Sequence, residues 1–82
     1  MVKDGYTMIA RFPMIEYVLL NRHTNYNSFI AAWAYDDNDG TWGQGHYFET
    51  EESAREYIKQ VYEDRCIRNY GERLMKLDER AA

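Results

Sequence analysis

Few residues of this chain could carry chemistry: His23, His46, Cys66 and the acidic run Asp36-Asp37-Asn38-Asp39-Gly40. A histidine beside carboxylates can act as general acid and base. Here His46 falls in a stretch that reads as strand, among aromatics, and His23 falls in an Asn-rich turn. Nothing in the sequence brings the two together, so no set of catalytic roles can be assembled. Cys66 has no histidine at a spacing used by thiol nucleophiles, and it reads as a small apolar residue with a reduced thiol. The acidic run resembles part of a calcium loop but fails on spacing. With Gly40 as the sixth loop residue, the first would be Tyr35 and the twelfth His46, and neither is the required carboxylate. Gly43-Gln44-Gly45 lacks the third glycine or the Gly-Lys-Ser/Thr of a phosphate loop, and a strand follows it where a helix is needed. The expectation is a protein that is not an enzyme, with no cofactor and no metal.

The elements that would position these residues follow from turn chemistry and periodicity. Residues 6–12 read as a short strand or an arm, and Pro13 marks a bend. Residues 15–22 are β-rich, residues 28–35 read as a second strand, and residues 42–49 return as a third. Between the last two, Asp, Asn and Gly at 36–40 form a strong turn signal. Then the period changes. Thr50 is an N-cap, Glu51 and Glu52 suit a helix N-terminus, and Ala54, Tyr57, Ile58, Val61 and Tyr62 recur at helical spacing. A second stripe, Ile67, Tyr70, Leu74 and Leu77, lies on nearly the opposite side of a continuous helix. Either the helix breaks near Asn69-Tyr70-Gly71, with Asn and Gly as C-cap residues, or its last turns reach a partner chain. The break is preferred. The fold class expected is α+β: an antiparallel meander of three or four strands, one long amphipathic helix and a short C-terminal helix, in a single domain spanning 1–82.

If the 36–41 loop closes a hairpin with Tyr35 opposite Trp42, then Trp33 pairs with Gln44, Ala31 with His46 and Phe29 with Phe48. Strict alternation puts Phe29, Trp33, Tyr35, Trp42, His46 and Phe48 on one face. Ile30, Ala32, Ala34, Gly43, Gly45 and Tyr47 take the other. Neither face is polar enough to stand in water. The long helix covers one. The second cover is the C-terminal helix, the N-terminal arm, a twin subunit or a binding partner.

Length and charge narrow the class. Eighty-two residues with 45% apolar content make one small core, and a chain this short buries only about 60% of its unfolded surface. A single cysteine excludes an internal disulfide framework. Arg11, Pro13 and Glu16 interrupt the N-terminal apolar stretch, so no signal-peptide core forms, and a cytoplasmic protein is expected. No run reaches the ~18–20 apolar residues of a membrane helix. The net charge of −4 opposes a protein that grips nucleic acid by its phosphates. It is unevenly spread: residues 36–64 hold nine acids and two bases, while both flanks are mildly basic. An aromatic sheet can stack single-stranded bases, but Asp36, Asp37 and Asp39 flank this one and repel phosphate.

The run from Trp33 to Ala54, WAYDDNDGTWGQGHYFETEESA, resembles small orphan proteins of phages and other mobile elements, a class that includes anti-CRISPR inhibitors. The likeness covers about a quarter of the chain. It implies a short, acidic, non-enzymatic inhibitor that occupies a nucleic-acid site on its target, and it assigns no residue. Joined to the charge layout, it gives the leading expectation. This is a protein-binding module whose partner has a basic surface, such as a nucleic-acid-handling host enzyme. Asp36, Asp37, Asp39, Glu49, Glu51 and Glu52 would complement the partner's bases, with Tyr35 and Trp42 as anchors. A self-associating structural protein, pairing through the aromatic face or the C-terminal helix, is the alternative. A small nucleic-acid binder or enzyme stands third.

Overall fold

Proline at the first position of a helical turn loses nothing, because its missing N–H would have no partner there. Pro13 uses this: Pro13–Ile15 is a single 3-10 turn, ended by Glu16 in the left-handed region (φ 61°). The turn links the strands β1 (Thr7–Phe12) and β2 (Tyr17–Asn21). The computed structural model describes residues 4–65 and 70–81. In it, β2 is followed by β3 (Phe29–Trp33), β4 (Gln44–Phe48), helix α1 (Glu51–Arg65), helix α2 (Gly71–Asp78) and β5 (Arg80–Ala81).

The five strands form one antiparallel sheet in the order β4-β3-β2-β1-β5. The expected hairpin register holds: Trp33 pairs with Gln44, Ala31 with His46 and Phe29 with Phe48. The strand count of three or four does not hold. The arm is a full strand, and β5 adds a fifth by pairing Arg80 and Ala81 with Arg11 and Ala10. Two residues carry no readable alternation, which is why β5 leaves no trace in the sequence.

Thr50 caps α1 as its sequence indicates, its hydroxyl oxygen accepting the N–H of Ser53 at 3.1 Å. Ala54, Ile58 and Tyr62 recur every fourth residue and are buried against the sheet, with Tyr57 and Val61 half-buried beside them. They meet Ala10, Phe12, Tyr17, Leu19 and Ala31, with Phe29, Trp33 and Phe48 at the margin. The long helix therefore covers the aromatic face.

The two helices are separate elements, the preferred of the two readings of the crossed stripes; of the second stripe Leu74 packs on the core, while Tyr70 and Leu77 are exposed. Asn69 and Ile67 lie outside the described residues, as does Cys66. Gly71 is not the expected C-cap. It is the first residue of α2, and the reason for glycine is proximity. A Cβ there would stand 2.6 Å from the carbonyl oxygen of Lys59 and collide with Cγ of Glu63. Met75 then reaches the main core from α2, and Leu74 packs beside it.

Asp78 ties the far end of α2 to the rest. Its Oδ2 accepts the Tyr62 hydroxyl at 2.6 Å and the Met14 N–H at 2.7 Å. A buried carboxylate is tolerated only with such donors. The bonds fasten α2, α1 and the 3-10 turn to one another, and the chain then leaves α2 along the edge of β1.

Two substitutions test this packing. Tyr62→Phe keeps the ring and its edge-on contact with Phe12 but removes one donor from Asp78; urea denaturation should show a loss of ~1–3 kcal/mol. Gly71→Ala gains ~1 kcal/mol of helix propensity yet should be net destabilising, because the helices must part.

Candidate protein-interaction surface

The second face of the sheet consists of Met8, Val18, Leu20, Ile30 and Ala32, all buried. No helix lies over it among the described residues; the hairpin residues Tyr35 and Trp42 do, with Tyr6 from just before β1. The device is a break in alternation. Ala34 adopts the left-handed conformation (φ 58°), which is rare for alanine. Its N–H still donates to the Glu16 carbonyl at 2.9 Å, so the strand path holds to that point and then turns. Tyr35 and Trp42 consequently pack with the second face. Strict alternation placed them on the first, with Trp33 and Phe48. This is a correction to that assignment; the register itself is unchanged, with Asp36 bridged to Thr41.

Trp42 is the centre of the cover. Its indole lies over Gly45, where an added Cβ would stand 2.8 Å from Nε1 of Trp42 and 3.4 Å from Cγ2 of Ile30. Tyr35 stacks on it with ring centres 6.4 Å apart and planes at 17°, and Tyr6 meets it edge-on at 5.5 Å. Arg11 holds the outer layer. Its guanidinium lies 5.9 Å from the centre of the Tyr35 ring and forks onto Asp37 at 2.6 and 3.2 Å. That pairing lowers the pKa of Asp37, and the Arg11 pKa rises for the same reason. Burial first, then the Asp37 charge, pushes the Tyr35 hydroxyl up.

The expected anchors Tyr35 and Trp42 are thus half-buried covering residues of the protein's own sheet. Tyr6 and Arg11, which complete the cover, were missed by sequence reasoning. The available signal was their residue type in the arm: an aromatic and a planar cation, both suited to lie on a Trp-Tyr pair.

The three tip aspartates also have local duties. Asp36 Oδ1 accepts the N–H of Asn38 at 2.8 Å, and Asp39 Oδ1 accepts the N–H of Thr41 at 3.0 Å and its hydroxyl at 2.5 Å. With Gly40 at φ 70°, these bonds close the turn. All three carboxylates remain exposed.

At the other end of β4, exposed Glu49 accepts the N–H of Asn27 at 3.0 Å. Glu51 pairs with Arg55 at 2.8 Å, and Arg55 reaches on to Glu79 at 2.8 Å. Glu52 and Glu56 are exposed on the first turns of α1. The structure therefore does not bring the expected site residues into one patch. It sets two acidic clusters at opposite ends of β4 and places the aromatic pair beside the first.

The ring of His46 lies tilted against that of Tyr57, centres 4.5 Å apart, and His23 shares a hydrogen bond of 2.7 Å with the Thr7 hydroxyl. Among the described residues no three His, Cys, Asp or Glu side chains converge as metal ligands, and no helix is long and apolar enough to cross a membrane. An open groove of about 650 Å³ runs beside the cover, lined in part by Arg11, Glu16, Tyr35 and Asp37. Comparison with family models, curated proteins and solved structures gives no match.

Tyr57 connects the sheet margin to α1. It contacts Tyr17, His46 and Phe48, and its hydroxyl shares a 3.3 Å bond with that of Tyr17. Burial, and then that bond, push its pKa from 10.0 up to about 12. An unfolded chain loses this proton near pH 10 and the folded protein near pH 12. The associated stability is complete below the lower value and drains away as pH rises through the higher one. Denaturant titrations on both sides of this window should show wild type losing more stability than Tyr57→Phe; equal losses would remove Tyr57 from the alkaline response.

Proposed function

We propose that this chain is a non-enzymatic protein-binding module that presents acid to a basic surface on its partner, acting as an inhibitor of a nucleic-acid-handling enzyme in the manner of anti-CRISPR proteins. The observation that carries the reading is the placement of exposed carboxylates at both ends of β4, Asp36 and Asp39 at the tip and Glu49 and Glu52 around the start of α1. Carboxylates arranged this way meet a basic groove at two points and repel nucleic acid itself. The use of Trp42, Tyr35 and Tyr6 as the protein's own cover also speaks against a base-stacking platform. Tyr35 and Trp42 enter the contact with the flanks of half-buried rings, a smaller role than full anchors have.

Self-association is the second reading, and α2 favours it. Leu77 of α2 is 69% exposed, and Tyr70, just before the helix, is 46% exposed. Sedimentation separates the two readings, because a monomer at high concentration excludes the seam.

The partner reading is tested by affinity capture from host lysate at low and at high salt. A basic protein should be retained at low salt and released at high salt. Neutralising Glu49 and Glu52 together to Gln should weaken capture by about ten-fold, at ~0.5–1 kcal/mol for each exposed charge. Salt-insensitive capture, or none at low salt, contradicts the reading.

A further inference from the structure

The two edges of the sheet are treated differently. The β1 edge is closed in part by the chain's own β5, at Ala10 and Arg11. The β4 edge carries no covering strand among the described residues. Its sequence, Gln-Gly-His-Tyr-Phe, has no proline and no charge, the usual means by which proteins block an edge.

The register shows which groups of β4 look outward. The Trp33 carbonyl accepts the N–H of Gly43, while the next N–H, of Ala34, donates the other way to Glu16. Trp33, Ala31 and Phe29 therefore turn their peptide groups toward β4, and their partners Gln44, His46 and Phe48 turn toward β3. The N–H and C=O groups of Gly45 and Tyr47 are left pointing away from the sheet. They form an open ladder bounded by acid at both ends: Asp36 and Asp39 before it, Glu49 and Glu52 after it.

From this we infer that the β4 edge receives an extended segment of a protein partner by strand addition, the segment carrying Lys or Arg on both sides of an uncharged stretch of about five residues, ~17 Å. The inference rests on the protein-binding reading and names the partner's chemistry and mode of contact. Charge selects this occupant over a second copy. Pairing β4 with its own twin about His46 sets Gly45 opposite Tyr47, but it also brings the tip, Asp36 and Asp39, beside Glu51 and Glu52 of the other copy. A basic segment meets attraction where the twin meets repulsion. Side chains suit alternation: Tyr47, 45% exposed with Arg22 over its ring at 4.9 Å, offers a wall on one face. His46 and Phe48, against Tyr57, offer one on the other.

Amide exchange by NMR on the full chain tests the assignment. The probe is a synthetic peptide of alternating Thr and Val with paired lysines at each end, beside a counterpart with glutamates in their place. In the free protein the amides of Gly45 and Tyr47 should exchange fast and those of His46 and Phe48 slowly. The basic peptide should slow Gly45 and Tyr47 by about ten-fold, and the acidic one should not. Tyr47→Pro removes an outward N–H without breaking the ladder to β3, and it should abolish the response. If that variant fails to fold, N-methylation of the peptide on its β4-facing residues replaces it and should have the same effect. Unchanged exchange at Gly45 and Tyr47 while lysate capture persists overturns the edge and leaves the protein-binding reading standing; loss of capture as well overturns both. Protection that grows with protein concentration alone overturns the basic segment in favour of the twin.

Discussion

A sheet that is apolar on both sides must be shielded twice, and a chain of 82 residues has little left to do it with. The first shield is conventional: α1 lays Ala54, Ile58 and Tyr62 across the sheet. The second is made from the β3–β4 hairpin and Tyr6 before β1. Trp42 folds back over Gly45, Tyr35 stacks on it, Tyr6 closes one side, and Arg11 with Asp37 seals the outside. Everything on this side depends on the absence of a side chain at Gly45 and the reversed backbone at Ala34. Without the first, the indole has no seat; without the second, Tyr35 points to the other face.

This economy bears on function. The sheet aromatics Tyr35 and Trp42 are largely consumed as cover, so what the molecule presents around the hairpin tip is acid. The carboxylates of the tip are held by their own turn, at Asp36 and Asp39, or by Arg11, at Asp37. They are presented on a loop already ordered by its own turn bonds, which would lower the ordering cost of any contact made there. The same holds at the far end, where Thr50 caps α1 and Arg55 links Glu51 to Glu79.

Much of the fold was legible because local signals agreed. The turn at 36–40, the period change at Thr50 and the crossed stripes of the two helical stretches gave the hairpin register, the helix start and the helix break. What was hidden depended on contacts between distant residues. Gly71 looks like a cap until Lys59 is seen behind it, and Tyr35 looks like a neighbour of Trp33 until the backbone reverses at Ala34. The candidate site was legible in part. Its acidic residues, and their division between the two ends of the third strand, follow from the strand reading of residues 42–49, but the partnership of Arg11 with Asp37 spans 26 positions.

The central claim is that the hairpin tip is a structural shield. Equilibrium unfolding of Trp42→Ala, followed by circular dichroism and by binding of a hydrophobic dye, tests it most directly. If Trp42 seals the second face, the substitution should cost ~3–5 kcal/mol and expose Leu20, Ile30 and Val18 to the dye. An unfolding midpoint within error of wild type, with no dye bound, would show that the face is closed by something else and would contradict the account.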